Sequence, residues 1–77
     1  MKLHEGMIGK SYLVTSVVLE DKITRRLEAL GVNERTQILV LNKKRSGTIM
    51  IKVRGTRLAL GGSIADGIEI AEGPENE

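Results

Sequence analysis

The chain has 77 residues, no cysteine and a formal net charge of +2, with 40% hydrophobic and 29% charged residues. Its length allows one small domain, because a chain of this size buries only about 60% of the surface that its unfolded form exposes. The lack of cysteine excludes disulfides and thiolate metal sites, and the lack of a long apolar run excludes a membrane span, so we expect a soluble cytoplasmic protein.

The first predicted strand covers residues 11–18, after a turn marked by glycines. Its β-branched side chains favour extended backbone. Leu13 and Val14 place apolar groups on both faces of this strand, which is expected if a helix covers part of the outer face. Tyr12 is the only aromatic residue of the chain, so we expect a core built from Ile, Leu and Val.

A short amphipathic helix follows this strand. Asp21 is a candidate N-cap, because its carboxylate can accept hydrogen bonds from the exposed amides of the first turn. Ile23, Leu27 and Leu30 stand at i, i+4 and i+7, and this spacing predicts one apolar stripe that faces the strands. Gly31 stands where a left-handed residue ends a helix, as in the Schellman motif.

Three further strands are predicted from alternation and turn signals. They cover residues 36–41, 48–54 and 57–60. In the middle one, Ile49, Ile51 and Val53 recur at every second position, so we expect them to face the core. Gly55-Thr56 is the predicted two-residue connection to the next strand, with glycine first as a type II′ turn prefers.

The end of the chain predicts a short helical turn, a last strand and a tail. Ser63 is a candidate cap for a turn that runs through Asp66, and residues 68–70 form the strand. Residues 73–77 are expected to be disordered, because their polar side chains have nothing to bury. Five short strands with tight turns predict a mainly β fold, a small barrel that hides its edges by closing.

Three motifs stand in order along this chain: Arg26-Leu27-x-x-Leu30-Gly31-Val32, Val53-x-Gly55-x-x-Leu58-Ala59-Leu60 and Ile64-Ala65-x-x-Ile68-x-Ile70. Their order and spacing over residues 3–71 resemble the FeoA family, small cytoplasmic proteins of bacterial ferrous iron transport. The chain departs from the usual family pattern after the first motif, where Glu34-Arg35 stand in place of Pro-Gly.

The resemblance implies an SH3-like β-barrel with one inserted short α-helix, formed by residues 1–72. It also implies a role beside FeoB, a membrane transporter with a cytosolic GTP-binding domain. The same domain occurs as the carboxy-terminal module of metal-dependent repressors, so a regulatory module is an alternative reading. The transport role is preferred because the sequence shows no DNA-binding helix pair.

No catalytic constellation is visible in the sequence, so we expect a protein that is not an enzyme and needs no cofactor. His4 is the only histidine, and no neighbouring motif orients it as a base. His4-Glu5 and Glu20-Asp21 supply possible ligands, but no spacing brings them together, and we predict no metal site.

Basic residues in the middle of the chain make nucleic-acid binding an alternative function. They are Lys43, Lys44, Arg45, Lys52, Arg54 and Arg57. These cations could follow a phosphate backbone, but single-strand binders add aromatic platforms worth about 1–3 kcal/mol per base. One tyrosine cannot supply such a platform, so a protein partner is preferred and no nucleic acid is expected.

We predict the partner-binding site on the outer face of the strand at residues 36–41. If Ile38 and Val40 face the core, Leu39 and Leu41 face outward, and Met50 on the neighbouring strand can lie beside them. An apolar centre bordered by cations has the composition of a protein interface. The alternative is that the helix or a carboxy-terminal segment covers this patch.

The predicted site residues are Leu39, Leu41, Met50, Lys52 and Arg54, with Arg25 and Arg26 on the helix. The two helix arginines form a second candidate surface, because guanidinium groups pair well with carboxylates. Contact between such patches, or between edge strands, is the expected route to a homo-oligomer.

Overall fold

One antiparallel sheet of five strands makes up most of the computed structural model, which describes residues 1–73. The elements in chain order are a 3-10 turn at Leu3–Glu5, β1 at Ser11–Val17, α1 at Asp21–Ala29, β2 at Gln37–Lys43, β3 at Ile49–Val53, β4 at Thr56–Leu60, α2 at Gly62–Ala65 and β5 at Ile68–Glu72. The predicted mainly β fold, with one inserted helix and a helical turn before the last strand, is confirmed. Residues 74–77 of the expected tail lie outside the described residues.

The strands lie in the order β4-β3-β2-β1-β5, and each neighbouring pair is antiparallel. Two β-bulges interrupt the ladders, because Thr15 is an extra residue of β1 opposite β5 and Leu41 an extra residue of β2 opposite β3. A bulge bends its strand and increases the local twist. The bulges therefore help the sheet to coil around one core, to which all five strands contribute buried side chains.

The core is aliphatic apart from one ring. Its members are Leu3, Tyr12, Val14, Leu27, Val32, Ile38, Val40, Ile49, Ile51, Val53, Leu60, Ala65, Ile68 and Ile70. The predicted inward orientation of Ile49, Ile51 and Val53 is confirmed, since each is at most 1% exposed. No polar or charged residue is buried in the described part of the chain, so apolar burial is the main source of stability.

The amino-terminal segment is held on this core. Tyr12 is 1% exposed, and its hydroxyl accepts a hydrogen bond of 2.8 Å from the Met7 N–H. The ring also lies 3.0 Å from the position that a Cβ on Gly6 would occupy. Leu3 is fully buried, although the polar residues beside it give no periodic signal.

The helix packs through Leu27, which is 3% exposed, and through the partly buried Ile23. The predicted apolar stripe is wrong at Leu30, which is 43% exposed. The reason is that α1 ends at Ala29, and Leu30 is the cap residue beyond its last turn.

Both predicted caps are wrong, although the helices lie where the sequence places them. Asp21 is the first residue of α1, and the N-cap is Glu20, whose side chain makes no capping bond. Ser63 lies inside α2, and its N-cap is Gly61. An acidic residue in the first turn of α1 still interacts favourably with the helix dipole.

The carboxyl end of α1 forms the predicted Schellman motif. Gly31 has a φ of +98°, and its N–H donates to the Glu28 carbonyl at 3.0 Å. The Val32 N–H donates to the Leu27 carbonyl at 2.8 Å. These two bonds satisfy carbonyl groups that the end of a helix otherwise leaves free.

The β3–β4 connection differs from the predicted type II′ turn. Val53 pairs with Thr56, so the two central residues are Arg54 and Gly55. Their φ angles are +52° and +81°, which is the type I′ geometry that matches the twist of a hairpin. The sequence misplaces the turn by one residue because arginine rarely enters the left-handed region.

The two edges of the sheet differ. The Ile70 N–H donates to the Met1 carbonyl at 2.7 Å, and Lys2 forms a β-bridge with Glu69 on the same edge. Residues 1 and 2 therefore cover part of the outer edge of β5. At the other edge, β4 pairs with β3 and with no other strand of residues 1–73.

Candidate docking surface

The outer face of β2 carries the two predicted leucines. Val40 is fully buried, while Leu39 and Leu41 on either side of it are half-buried. Leu39 pairs across the sheet with Lys52, which is exposed. Alternation along the strand sends Leu39 to the face opposite Val40. Leu41 is the extra residue of the β2 bulge, and neither leucine belongs to the partly buried residues that pack against the core.

The bulge in β2 sets the position of Met50. Asn42 is the ladder partner of Met50, and Leu41 is the extra residue next to it. Met50 is half-buried and stands between the buried Ile49 and Ile51, so it faces outward. The three predicted apolar residues therefore lie on two neighbouring strands without forming a directly opposite pair, since Leu39 pairs with Lys52 and Met50 pairs with Asn42. Diagonal neighbours on one face of a sheet lie about 7–8 Å apart, which long side chains can still span.

Three residues that the sequence analysis missed extend this patch. Ala59 of β4 pairs with Met50, and Leu13 of β1 pairs with Ala71 of β5. Leu13 also lies diagonally across from Leu39. A line of apolar side chains, here named the outer apolar line, thus crosses all five strands and consists of Ala71, Leu13, Leu39, Leu41, Met50 and Ala59.

Two cations border the outer apolar line at its β3–β4 end. Lys52 and Arg57 face each other across these strands, and both are exposed. Neither forms an ion pair with a residue in the range 1–73. Their positive charges make this end of the face electropositive.

Arg54 is not beside Lys52 at the border of the patch. Its side chain crosses the backbone at the end of α1, where Cδ lies 3.0 Å and Nε 3.4 Å from the position that a Cβ on Gly31 would occupy. A cation at the carboxyl end of a helix interacts favourably with the helix dipole. Arg54, which the sequence predicts to bind a partner, thus makes a contact within the protein that the sequence did not indicate.

A groove of about 770 Å³ runs beside this contact, between α1, residues 32–37 and the β3–β4 turn. Its charged wall residues are Glu28, Glu34, Arg35 and Arg54. Two carboxylates and two guanidinium groups give the wall no net charge. The groove therefore indicates no ligand class by its charge.

Arg25 and Arg26 lie exposed on α1. They form no ion pair with the described part of the chain. The helix packs on the core through Leu27, whereas the outer apolar line lies on the face of the sheet away from the core, so these arginines belong to a separate surface.

The remaining sequence candidates are not brought together. His4 is exposed, and its Nδ1 lies 3.6 Å from the Asp66 carboxylate. Across residues 1–73, no group of three or more His, Cys, Asp or Glu side chains could hold a metal ion. In that same range, no helix is long and apolar enough to cross a bilayer.

The family model of the FeoA domain matches residues 1–72. Among solved structures, the FeoA protein of Chlorobium tepidum is 32% identical over 100% of this chain and 74% of its own, with a TM-score of 0.88. An iron uptake regulatory protein, FeoA, is 26% identical over 91% of this chain and 93% of its own, with a TM-score of 0.82. No curated protein matches.

A manganese-dependent transcriptional repressor has the same fold at 18% identity, with a TM-score of 0.85. The match covers 94% of this chain but 41% of the repressor, so it concerns one part of that protein. These matches confirm the SH3-like fold expected from the resemblance. The prediction that the barrel hides its edges by closing is wrong, because the terminal strands β4 and β5 do not pair with each other within residues 1–73.

Proposed function

The chain belongs to the FeoA domain family, and on that basis we propose that it is an accessory protein of bacterial ferrous iron transport that binds the cytosolic part of FeoB. Its role in this proposal is docking and not catalysis. Binding changes the conformation or the assembly of the transporter in the cytoplasm, and iron uptake changes with it.

The outer apolar line with its cationic border is the observation that supports this proposal best. Leu39, Leu41 and Met50 are half-buried in the free chain, so a partner that covers them removes apolar surface from water. Such burial contributes about 25 cal/mol per Å². Lys52 and Arg57 at the border would meet carboxylates of the partner, which favours the correct orientation and a fast association.

Calorimetry with the full chain and the purified cytosolic domain of FeoB from the same organism tests the proposal. The double variant Leu39→Lys plus Met50→Lys places two cations in the centre of the patch. We expect it to bind at least tenfold more weakly than the parent chain, because charges in an apolar interface are left without partners. Val18→Lys is the matched control, since Val18 is 73% exposed and lies beyond the far end of β1.

Each result has a distinct meaning. Unchanged affinity of a folded double variant removes the outer apolar line from the proposal, and Arg25→Glu plus Arg26→Glu then tests the second surface. Absence of binding by the parent chain at millimolar concentration contradicts the partnership with FeoB itself.

A further inference from the structure

The outer edge of β4 has a hydrogen-bond pattern that its turn fixes. In a hairpin with a two-residue type I′ turn, the residues that flank the turn form a hydrogen-bonded pair. Val53 and Thr56 are that pair. Every second residue of β4 after Thr56 therefore also directs its N–H and C=O groups toward β3.

The residues between them direct these groups away from the sheet. Leu58 and Leu60 stand in hydrogen-bonded pairs with residues of β3. Arg57 and Ala59 stand in the non-hydrogen-bonded pairs between them. No backbone or side-chain group of residues 1–73 bonds to the N–H or C=O of either residue. Both residues are exposed. Two N–H and two C=O groups thus stand open at one strand edge, which is a template for a further strand.

The charge around this edge is uniform in sign. Neither β3 nor β4 contains an acidic residue. Arg57 lies on β4, Lys52 lies opposite it on β3, and neither is paired within the described range. On the inner side the same edge carries Leu58, which is partly buried and packs against the core. A strand added here would meet cations on one face and apolar groups on the other.

We infer that β4 takes up an acidic polypeptide segment in extended conformation as an added strand. Backbone bonds to Arg57 and Ala59 provide the pairing, and alternate side chains of the segment provide the selectivity. Acidic side chains on the outer face lie near Lys52 and Arg57, and apolar ones on the inner face lie beside Leu58. A second copy of this chain is a poor occupant, because pairing of two β4 strands concentrates like charges.

The probe for this inference is a nine-residue peptide of alternating Glu and Val with both ends blocked. It is titrated into the full ¹⁵N-labelled chain. We expect the amides of Arg57 and Ala59 to shift and, at saturation, to exchange with solvent at least tenfold more slowly. The amide of Leu58, already bonded to β3, is the internal reference. A peptide with Lys in place of Glu should bind at least tenfold more weakly.

Two variants separate pairing from charge. Ala59→Pro removes an outward N–H without removing a bond to β3, and it should weaken binding at least tenfold, whereas Ala59→Val keeps the N–H and should bind normally. Arg57→Glu should reverse the preference toward the Lys peptide, and Arg57→Lys should retain the preference for Glu. The exposed position of Arg57 keeps this test usable if the proline variant does not fold.

Unchanged exchange at Arg57 and Ala59 with millimolar peptide overturns the inference, as does equal affinity for the Glu and Lys peptides. A dimer that Ala59→Pro abolishes, seen by analytical ultracentrifugation, also overturns it by placing a second copy at the edge. The inference does not rest on the proposed function. A synthetic peptide tests the edge and the FeoB domain tests the outer apolar line, so either can fail alone.

Discussion

The side chain of Arg54 lies across the backbone of Gly31, with Cδ 3.0 Å from the position that a Cβ would take there. The contact joins the β3–β4 turn to the end of α1, two elements far apart in the sequence. Both residues have positive φ, +52° for Arg54 and +98° for Gly31. Both residues of the contact therefore have a left-handed backbone conformation, which is unfavourable for residues with an L side chain.

Gly31→Ala should destabilise the protein by about 1–3 kcal/mol, because alanine is strained at this φ and its Cβ meets Arg54. Urea denaturation measures the change. Gly55→Ala is the matched control. Gly55 has a φ of +81°, and a Cβ at this position would have no atom within 4 Å. The control variant therefore has the conformational strain of a positive φ without the steric crowding.

A double-mutant cycle with Arg54→Ala then isolates the contact. Removing the arginine side chain relieves the crowding, so Gly31→Ala should destabilise the Arg54→Ala background less than the parent chain. Equal losses in both backgrounds would show that the close approach has no energetic effect.

Leu27 and Leu30 should respond differently to the same truncation. Leu27→Ala should lower the free energy of unfolding by about 2–5 kcal/mol, because it opens a cavity in the core. Leu30→Ala should change it by no more than about 1 kcal/mol, since the side chain is largely in water. Thermal and urea unfolding of both variants check this, and similar losses would contradict the exposure of Leu30.

Tyr12→Phe should destabilise the protein by about 1 kcal/mol, because the Met7 N–H loses its acceptor while the ring remains packed. The same variant should speed hydrogen exchange at the Met7 amide, which NMR detects residue by residue. Unchanged exchange at Met7 would mean that the hydroxyl does not hold the amino-terminal segment.

Gly67→Ala should destabilise the protein by about 1–3 kcal/mol through overpacking. A Cβ at this position would lie 2.5 Å from Leu19 Cδ2 and 2.7 Å from the Val18 carbonyl oxygen. Gly61→Ala is the control, since a Cβ at Gly61 would have no other atom within 4 Å. Denaturant titration of the two variants side by side gives the comparison, and equal stability would show that the backbone at Gly67 moves freely.

Features determined by a few neighbouring residues could be predicted from the sequence. The Schellman end of α1 needs Gly31 and residues within one turn of it, and it is confirmed. The alternation of Ile49, Ile51 and Val53 also predicts which face of β3 is buried, because a strand has a fixed period of two. Leu39 and Met50 face away from the core for the same reason, whereas the bulge at Leu41 interrupts the alternation.

Features that depend on distant residues could not be predicted in this way. Leu3 lies in the core because its 3-10 turn contacts α2 and β5, and no periodicity precedes it in the chain. The β3–β4 turn is displaced because Arg54 adopts a left-handed conformation while its side chain lies against α1. Leu13 and Ala71 join the outer apolar line through the β1–β5 pairing, which links opposite ends of the sequence.

The single ring at the centre of the barrel gives this protein one built-in optical reporter. The chain has one tyrosine and neither tryptophan nor phenylalanine, so its near-ultraviolet fluorescence arises from Tyr12 alone. That fluorescence depends on the packing of the ring against Gly6 and on the hydrogen bond from the Met7 N–H to the Tyr12 hydroxyl. A ligand that does not itself absorb tyrosine emission can therefore change this signal only by altering the surroundings of Tyr12.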